Sequence, residues 1–302
     1  MPDEQQRRVR TSAPGEPRRV AYLYLLPAFA FYVVFALGPL LYTTWLSFFD
    51  WNGLTVGEWT GLDNYRDVLD NPDIRASFVH AFELILFYAV LPALVALLLA
   101  SLIAHSRVRG ITFFRAVLFL PQTIATVVIA VAWVWIYAPD GPINEALRAV
   151  GLGSLTRGWL GDFDFALPAL GLVGTWVMFG LCLVLFLAGI QKIPLALYEA
   201  ARVDGAGRLR EFLAVTLPGL RGELAVALTL TTIMALRTFD LIYVSTAGGP
   251  GTSTTVPSVL VYQNAFVNGR VGLAAAVAVV LTVLIFAVAL GITRIVDRDP
   301  SR

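Results

Sequence analysis

The chain has 302 residues, of which 58% are hydrophobic and only 14% are charged, with a formal net charge of +1. Soluble globular proteins average about 25% charged and about 45–50% apolar residues, so the composition excludes an ordinary soluble domain and favours a membrane protein. The single cysteine, Cys182, excludes an intrachain disulfide and a thiolate metal cluster, and the near-neutral chain has no basic surface suited to nucleic acid.

Six apolar stretches are each long enough to cross a bilayer, because about 20 apolar residues span about 30 Å of hydrocarbon as a helix. Closed β-barrels also cross membranes, but these runs do not alternate as barrel strands do. The sequence therefore predicts an all-α polytopic membrane protein with six transmembrane helices. In chain order, the predicted spans are residues 20–48, 77–104, 114–138, 165–191, 223–244 and 271–293.

The basic residues predict how these spans are oriented. With the N-terminus inside, sixteen of the 22 Lys and Arg residues lie on the cytoplasmic side and five lie outside. Because cytoplasmic loops carry the excess of Lys and Arg, we expect both termini in the cytoplasm. Residues 1–19 are then a basic cytoplasmic tail, residues 20–302 are the membrane domain, and residues 192–222 are a cytoplasmic loop. Of the outside loops, residues 141–164 are predicted to hold a short helix at residues 143–150.

The cytoplasmic loop contains an unusually polar stretch, residues 198–220, with six charged residues. Pro194 is typical of a first helical position and Gly205 of a C-terminal cap, which predicts a short helix over residues 194–204. A second helical run follows over residues 208–216, and we expect Pro218 to stop it. On spacing alone, a helix lying among the lipid headgroups is the alternative to a partner-binding segment.

At fixed spacing, this stretch resembles the EAA motif of binding-protein-dependent ABC importer permeases, which reads E-A-A-x3-G-x9-I-x-L-P. The sole departure is Val215 in place of Ile. Residues 24–53, 61–69, 113–137 and 239–254 are also similar to the sugar permeases of that family, of the maltose and glycerol-phosphate type. His80-Ala81 stands where that family often has Asn-Thr, and Arg237 where an uncharged polar residue is common. Both departures leave the substrate open. The matching motif residues are Glu199, Ala200, Ala201, Gly205, Leu217 and Pro218.

The resemblance implies a type I ABC importer transmembrane domain in the bacterial cytoplasmic (inner) membrane. It implies four kinds of partner: a second, homologous permease subunit forming a heterodimer, two copies of a cytoplasmic ATPase, an extracytoplasmic solute-binding protein, and membrane lipid. The cargo would be a mono- or oligosaccharide, or a sugar-like polyol or glycerol phosphate. The residues expected to couple to the ATPase are Glu199, Ala200, Ala201, Asp204, Gly205, Leu217 and Pro218.

The sequence contains no motif for catalysis or for nucleotide binding. A phosphate-binding loop needs a Gly-rich turn followed by Lys, and the only lysine, Lys192, has no such context. We therefore expect no enzyme activity, no bound cofactor and no metal in this chain, with ATP and Mg²⁺ held by the partner ATPase. An ion-coupled secondary transporter is the alternative; it would need internal repeats and ion ligands at mid-membrane depth.

Polar and aromatic residues within or near the spans are candidates for the substrate pathway, since polar groups in hydrocarbon are costly. Each has a second interpretation: Glu83 as a carboxylate near the interface, the tryptophans as interfacial anchors, and Arg237 with Asp240 as an i,i+3 pair that shapes an outer gate. We also expect Pro39 and Pro121 to bend their helices. The pathway candidates are Glu83, Gln122, Thr123, Trp135, Trp176, Met178, Arg237 and Asp240.

Overall fold

The computed structural model describes residues 18–104 and 110–296. Within them the chain is helical except for loops and one two-stranded antiparallel hairpin, β1 (Phe49–Asp50) with β2 (Glu58–Trp59). The prediction of an all-α polytopic membrane fold is therefore confirmed. Most of the predicted basic tail lies outside the described residues.

Five helices are long and apolar enough to cross a membrane, and a sixth span is formed if one bent helix pair counts as one. We name the spans in chain order. They are the first span Tyr24–Leu46, the second span Pro72–Ile103, the third span Phe113–Thr123 with Thr126–Ile136, the fourth span Ala166–Ile190, the fifth span Arg221–Thr246 and the sixth span Val271–Arg294.

Short helices fill the connections and the ends of the spans. The loop after the third span contains the helix Pro142–Ala149, close to the predicted residues 143–150. The remaining short helices are Asp63–Asp70, the 3-10 turn Gly153–Leu155, Leu195–Val203, Arg208–Glu211, Leu217–Gly219, Asp240–Thr246 and Pro257–Tyr262.

The third span is not the straight helix that its apolar run suggests. It bends by 97° between Thr123 and Thr126. Ile124 and Ala125 are extended at the break, with ψ angles of 137° and 131°. The bend expected at Pro121 is thus present, but the helix continues for two residues beyond that proline before the chain turns.

Three prolines within helices are each preceded by a π turn that ends two residues earlier. A proline has no N–H, and its ring crowds the carbonyl of the residue four positions before it. A π turn is one residue wider than an α turn, so it moves that carbonyl aside without ending the helix. The turns and their prolines are Val33–Leu37 with Pro39, Leu86–Val90 with Pro92, and Phe212–Thr216 with Pro218.

The fourth span is the packing centre, and its glycines allow close approach of its neighbours. A Cβ on Gly174 would lie 2.0 Å from the Tyr88 ring, and one on Gly180 would lie 2.2 Å from the Leu118 carbonyl oxygen. Small residues let transmembrane helices pack at short distance. The second and third spans are therefore seated directly on the backbone of the fourth.

The first span differs from the others because none of its 18-residue apolar window is buried. Among the described residues, its second half, Gly38–Leu46, contacts the sixth span, and the chain just after it is held by hydrogen bonds. There, the Asn64 side-chain amide donates to the carbonyl oxygens of Ser47 and Phe49, at 3.0 and 2.9 Å. The rest of the first span therefore presents its side chains to lipid or to another subunit.

We expect Gly174→Ala to destabilise the chain, because the added methyl group must displace Tyr88 or the backbone. Overpacking of this kind costs about 1–3 kcal/mol. The measurement is the melting temperature of the detergent-solubilised protein. Gly222→Ala is the matched control, since a Cβ there meets nothing within 4 Å, and it should leave the melting temperature unchanged or slightly raised. Equal melting temperatures for the two variants would contradict the packing argument.

Candidate functional site: a two-armed loop and a cavity between broken helices

The loop between the fourth and fifth spans has two arms, and the first is the helix Leu195–Val203, with Pro194 as the residue before its first turn. Gly205 ends it in the left-handed region, with φ +74°. Its N–H donates to the Arg202 carbonyl at 3.0 Å, and the next N–H, of Ala206, donates to the Ala201 carbonyl at 2.9 Å. These two bonds form a Schellman motif, so the predicted glycine cap is confirmed.

The second arm starts after Gly207 and runs through Arg208–Glu211, the π turn Phe212–Thr216 and the helical turn Leu217–Gly219. Pro218 was expected to stop this run, and that expectation is wrong: the helix continues to Gly219. The preceding π turn relieves the clash that would otherwise end the helix.

Two side-chain contacts join the arms, and a third joins the two ends of the loop. The Arg202 guanidinium donates twice to the Glu211 carboxylate, at 3.0 and 3.2 Å. The hydroxyls of Tyr198 and Thr216 lie 3.2 Å apart. At the base, the Lys192 ammonium lies 2.9 Å from the Glu223 carboxylate. The Glu211 hydrogen bonds raise the pKa of Arg202 above its usual value.

The motif residues of the first arm face away from the rest of the chain. Glu199, Ala200, Asp204 and Gly205 are exposed and Ala201 is half-buried, whereas Tyr198 on the opposite face is buried. Several large apolar side chains are exposed beside them, which is typical of an interaction surface. They include Val203, Leu209 and Leu195, at 87%, 73% and 67% exposure. In the second arm, Leu217 is half-buried and Pro218 is exposed.

The fifth span is also broken, and this corrects the expected geometry of Arg237 and Asp240. Its first helix ends at Leu236 and the next begins at Asp240. The two charged residues therefore do not share one helix, and no hydrogen bond or ion pair joins them in the described chain. Both are exposed.

A cavity of about 200 Å³ lies between the breaks of the third and fifth spans. Arg237, Thr238 and Asp240 line it from the fifth span, Thr126 from the third and Met178 from the fourth. A second cavity, of about 570 Å³, lies on the other side of Arg237, toward the sixth span. Its walls include the rings of Phe239, Tyr262 and Phe266. Arg237 and Phe239 therefore border both cavities.

Of the eight predicted pathway residues, only Met178, Arg237 and Asp240 line the smaller cavity. Trp135 is 76% exposed and faces away from it, beside Val127, Val128 and Val131.

The other four predicted pathway residues lie elsewhere. Glu83 is exposed on the second span, and Trp176 packs edge to face on Trp133 at 5.7 Å. Gln122 and Thr123 lie just before the break in the third span. The Gln122 Oε1 is buried without a hydrogen bond, and the Thr123 hydroxyl donates to the Leu120 carbonyl.

Sequence reasoning missed three polar residues of the smaller cavity, Tyr88, Thr126 and Thr238, which lie next to predicted ones or within apolar runs. The Tyr88 and Thr238 hydroxyls lie 3.2 Å apart at its wall. Thr238 directly follows Arg237, which is a signal that could have found it. Tyr88 sits inside a long apolar run, and only its position opposite the break in the fifth span reveals it.

Comparison with known proteins places the chain among transport proteins. Residues 93–302 match the family described as binding-protein-dependent transport system inner membrane components. The probable ABC transporter permease protein YurN of Bacillus subtilis (strain 168) is 36% identical over 278 residues, which cover 90% of this chain and 94% of the relative. The trehalose/maltose transport system permease protein MalF of Thermococcus litoralis is 35% identical over 271 residues, which cover 88% of this chain and 90% of the relative.

A solved structure shares the fold. It is a bacterial alginate ABC transporter in complex with an alginate pentasaccharide-bound periplasmic protein. The matched chain has a TM-score of 0.78 at 23% sequence identity, over 93% of this chain and 94% of that one. The arrangement of helices described above is therefore that of an ABC importer transmembrane domain.

We expect Gly205→Ala to loosen the first arm, because a residue with a Cβ adopts this φ at a cost of about 1 kcal/mol. Opening of the Schellman bonds should then be about five-fold more frequent, measured as faster hydrogen exchange of the Gly205–Ala206 region. Gly207→Ala is the matched control: its Cβ also meets nothing within 4 Å, but its φ is −71°. Equal exchange in the two variants would contradict the cap.

Proposed function

The chain belongs to the family of binding-protein-dependent transport system inner membrane components, and from that membership we propose that it translocates a sugar. It is a multi-pass permease subunit of an ABC importer, a transport component rather than an enzyme. The proposed cargo is a mono- or oligosaccharide or a sugar-like polyol or glycerol phosphate. The observation that carries this proposal is the 35% identity to a trehalose/maltose permease over 88% of the chain.

The chain acts as one part of a larger complex. A periplasmic solute-binding protein delivers the cargo, as the family description and the solved alginate complex support. A second homologous permease subunit completes a heterodimer, and the unburied first span supports this by offering a long apolar face. Two ATPase subunits supply energy, since the sequence has no phosphate-binding loop. Both termini lie in the cytoplasm, on the side of the basic loops.

The two-armed loop couples this chain to the ATPase. Glu199, Ala200 and Gly205 lie on the exposed face of the first arm, where small side chains permit close approach of a partner. Ala201 and Asp204 border the same face. Leu217 and Pro218 belong to the second arm, which leads directly into the fifth span. The fourth and fifth spans adjoin the two ends of the loop. A displacement of the loop by the ATPase therefore moves both spans.

Substrate passes the cavity between the two broken spans. Irregular backbone at membrane depth is tolerated where it lines a water-filled cavity or is buried in protein. Arg237 and Asp240 offer charged donors and acceptors to sugar hydroxyls, and Thr238 adds a hydroxyl. The ring of Phe239 and the side chain of Met178 provide apolar surface for the faces of a sugar ring. The supporting feature is this combination in one cavity of about 200 Å³.

We expect Gly205→Asp to insert into the membrane at the normal level but to lose co-purification of the ATPase and uptake of substrate. A Cβ at this position meets nothing within 4 Å in this chain. The expected loss therefore comes from the strain of a side chain at φ +74°, which loosens the first arm, and from the charge added to the face that meets the ATPase. The measurements are membrane level, ATPase pull-down and uptake.

Gly151→Asp is the matched control for the docking readout. Gly151 also has a positive φ, of +82°, and open surroundings, but it lies in the loop predicted to be outside. This variant should retain ATPase pull-down. Normal pull-down and normal uptake for Gly205→Asp would remove the coupling assignment.

Growth of a deletion strain on a panel of saccharides, polyols and glycerol phosphate tests the proposed cargo. We expect loss of growth on one compound or a small group of related compounds, with restoration by the intact gene. Uptake of that compound should be blocked by vanadate, which inhibits ABC ATPases. Uptake that resists vanadate but stops when the ion gradient is collapsed would favour the ion-coupled alternative.

A further inference from the structure

The residues that join the two arms of the coupling loop are spaced differently on each arm. On the first arm, Tyr198 and Arg202 are four residues apart, so they share one face of an α-helix. Their partners on the second arm, Thr216 and Glu211, are five residues apart. In an α-helix, residues five apart differ by about 140° around the axis, so an α-helical second arm would not present both partners to the first arm.

The π turn Phe212–Thr216 resolves this mismatch. The N–H of Leu217 donates to the carbonyl of Phe212, five residues earlier, which widens this turn by one residue. Residues five apart then return to the same face, and Glu211 and Thr216 both face the first arm. The π turn itself precedes Pro218, at the same offset at which the two other π turns of this kind precede Pro39 and Pro92.

We propose that Arg202–Glu211 and Tyr198–Thr216 form a two-point clasp that sets the angle between the arms, and that Pro218 sets its register. The four clasp residues are positioning residues: they hold the exposed motif face of the first arm at the orientation in which it meets the ATPase. The proposal rests on the coupling role proposed above, and it assigns Pro218 a specific part in that role.

Glu211 is buried and Arg202 is not, so removal of Arg202 alone and removal of both charges should have different effects. The Glu211 side chain is 7% exposed, whereas that of Arg202 is 53% exposed. Removal of Arg202 alone takes two charge-assisted hydrogen bonds from the buried Glu211 carboxylate while its charge remains, which is more damaging than removal of both charges. Arg202→Ala should therefore be worse than the double variant Arg202→Ala with Glu211→Gln, although the double variant carries more changes.

The experiment compares these variants, and the exchanged pair Arg202→Glu with Glu211→Arg, in the full complex isolated from membranes. The readouts are membrane level of the chain, co-purified ATPase, and uptake per ATP hydrolysed for the compound that the growth panel identifies. We expect a normal membrane level for Arg202→Ala but about ten-fold less co-purified ATPase, because the buried carboxylate has lost its guanidinium. The double variant should recover part of this loss, and the exchanged pair should recover more.

Register is tested separately with Pro218→Ala. Without the proline, the second arm can return to α-helical spacing, which moves Thr216 off the clasp face. We expect this variant to lower co-purified ATPase, and the added change Thr216→Ala to have no further effect, since that contact is already lost. A further fall on adding Thr216→Ala would overturn the role of Pro218 in register.

Asp63→Asn, which breaks the exposed Arg66–Asp63 pair of the first outside loop, is the control for loss of an ion pair and should keep normal ATPase co-purification. Normal co-purification and coupling for Arg202→Ala would overturn the clasp. A fall in the membrane level of Arg202→Ala that the exchanged pair does not reverse would also overturn the clasp, because it would show that the pair is needed only for folding. If Gly205→Asp abolishes docking while Arg202→Ala does not, the clasp is wrong and the coupling role stands; if neither affects docking, the coupling role itself is wrong.

Discussion

Hydrocarbon offers no hydrogen-bond partner to a peptide group, and this constraint governs the rest of the structure. It explains why the described chain is almost wholly helical. It also gives meaning to the two places where a span is interrupted, residues 124–125 and 237–239. Both interruptions border the same cavity, in which Arg237 and Asp240 are exposed. The irregular backbone and two charged side chains of these spans are thus concentrated at one cavity.

The fourth span links that cavity to the two-armed loop. Its glycines bring the second and third spans into direct contact with its backbone, so these three spans form one tightly packed core. Met178 lies at the cavity, and the loop follows directly after Ile190. The Lys192–Glu223 pair joins the two ends of the loop at its base. The loop and the cavity are therefore two ends of one packed unit.

The two-armed loop was readable from the sequence because its signals are local. The Gly205 cap, the polar stretch and the motif spacing each depend on residues close together in the chain, and the left-handed φ of Gly205 agrees with them. The cavity was only partly readable, since its walls come from four spans. Arg237 and Asp240 stood out as charges in an apolar run, but the break that separates them did not, because no proline or glycine marks residues 237–239. Trp135, an attractive candidate by residue type, faces away from the cavity.

The sequence by itself determined the class of protein and the positions of the spans, because hydropathy, charge and local spacing act within single helices. Only the tertiary structure decided which polar residues meet in the cavity and how the arms of the loop are joined. Arg202 finds Glu211, and Tyr198 finds Thr216, because a π turn before Pro218 rotates one helix face by a residue. Such a rotation has no signature in residue type alone: it arises when a missing N–H, a crowded carbonyl and the packing of a neighbouring helix act together.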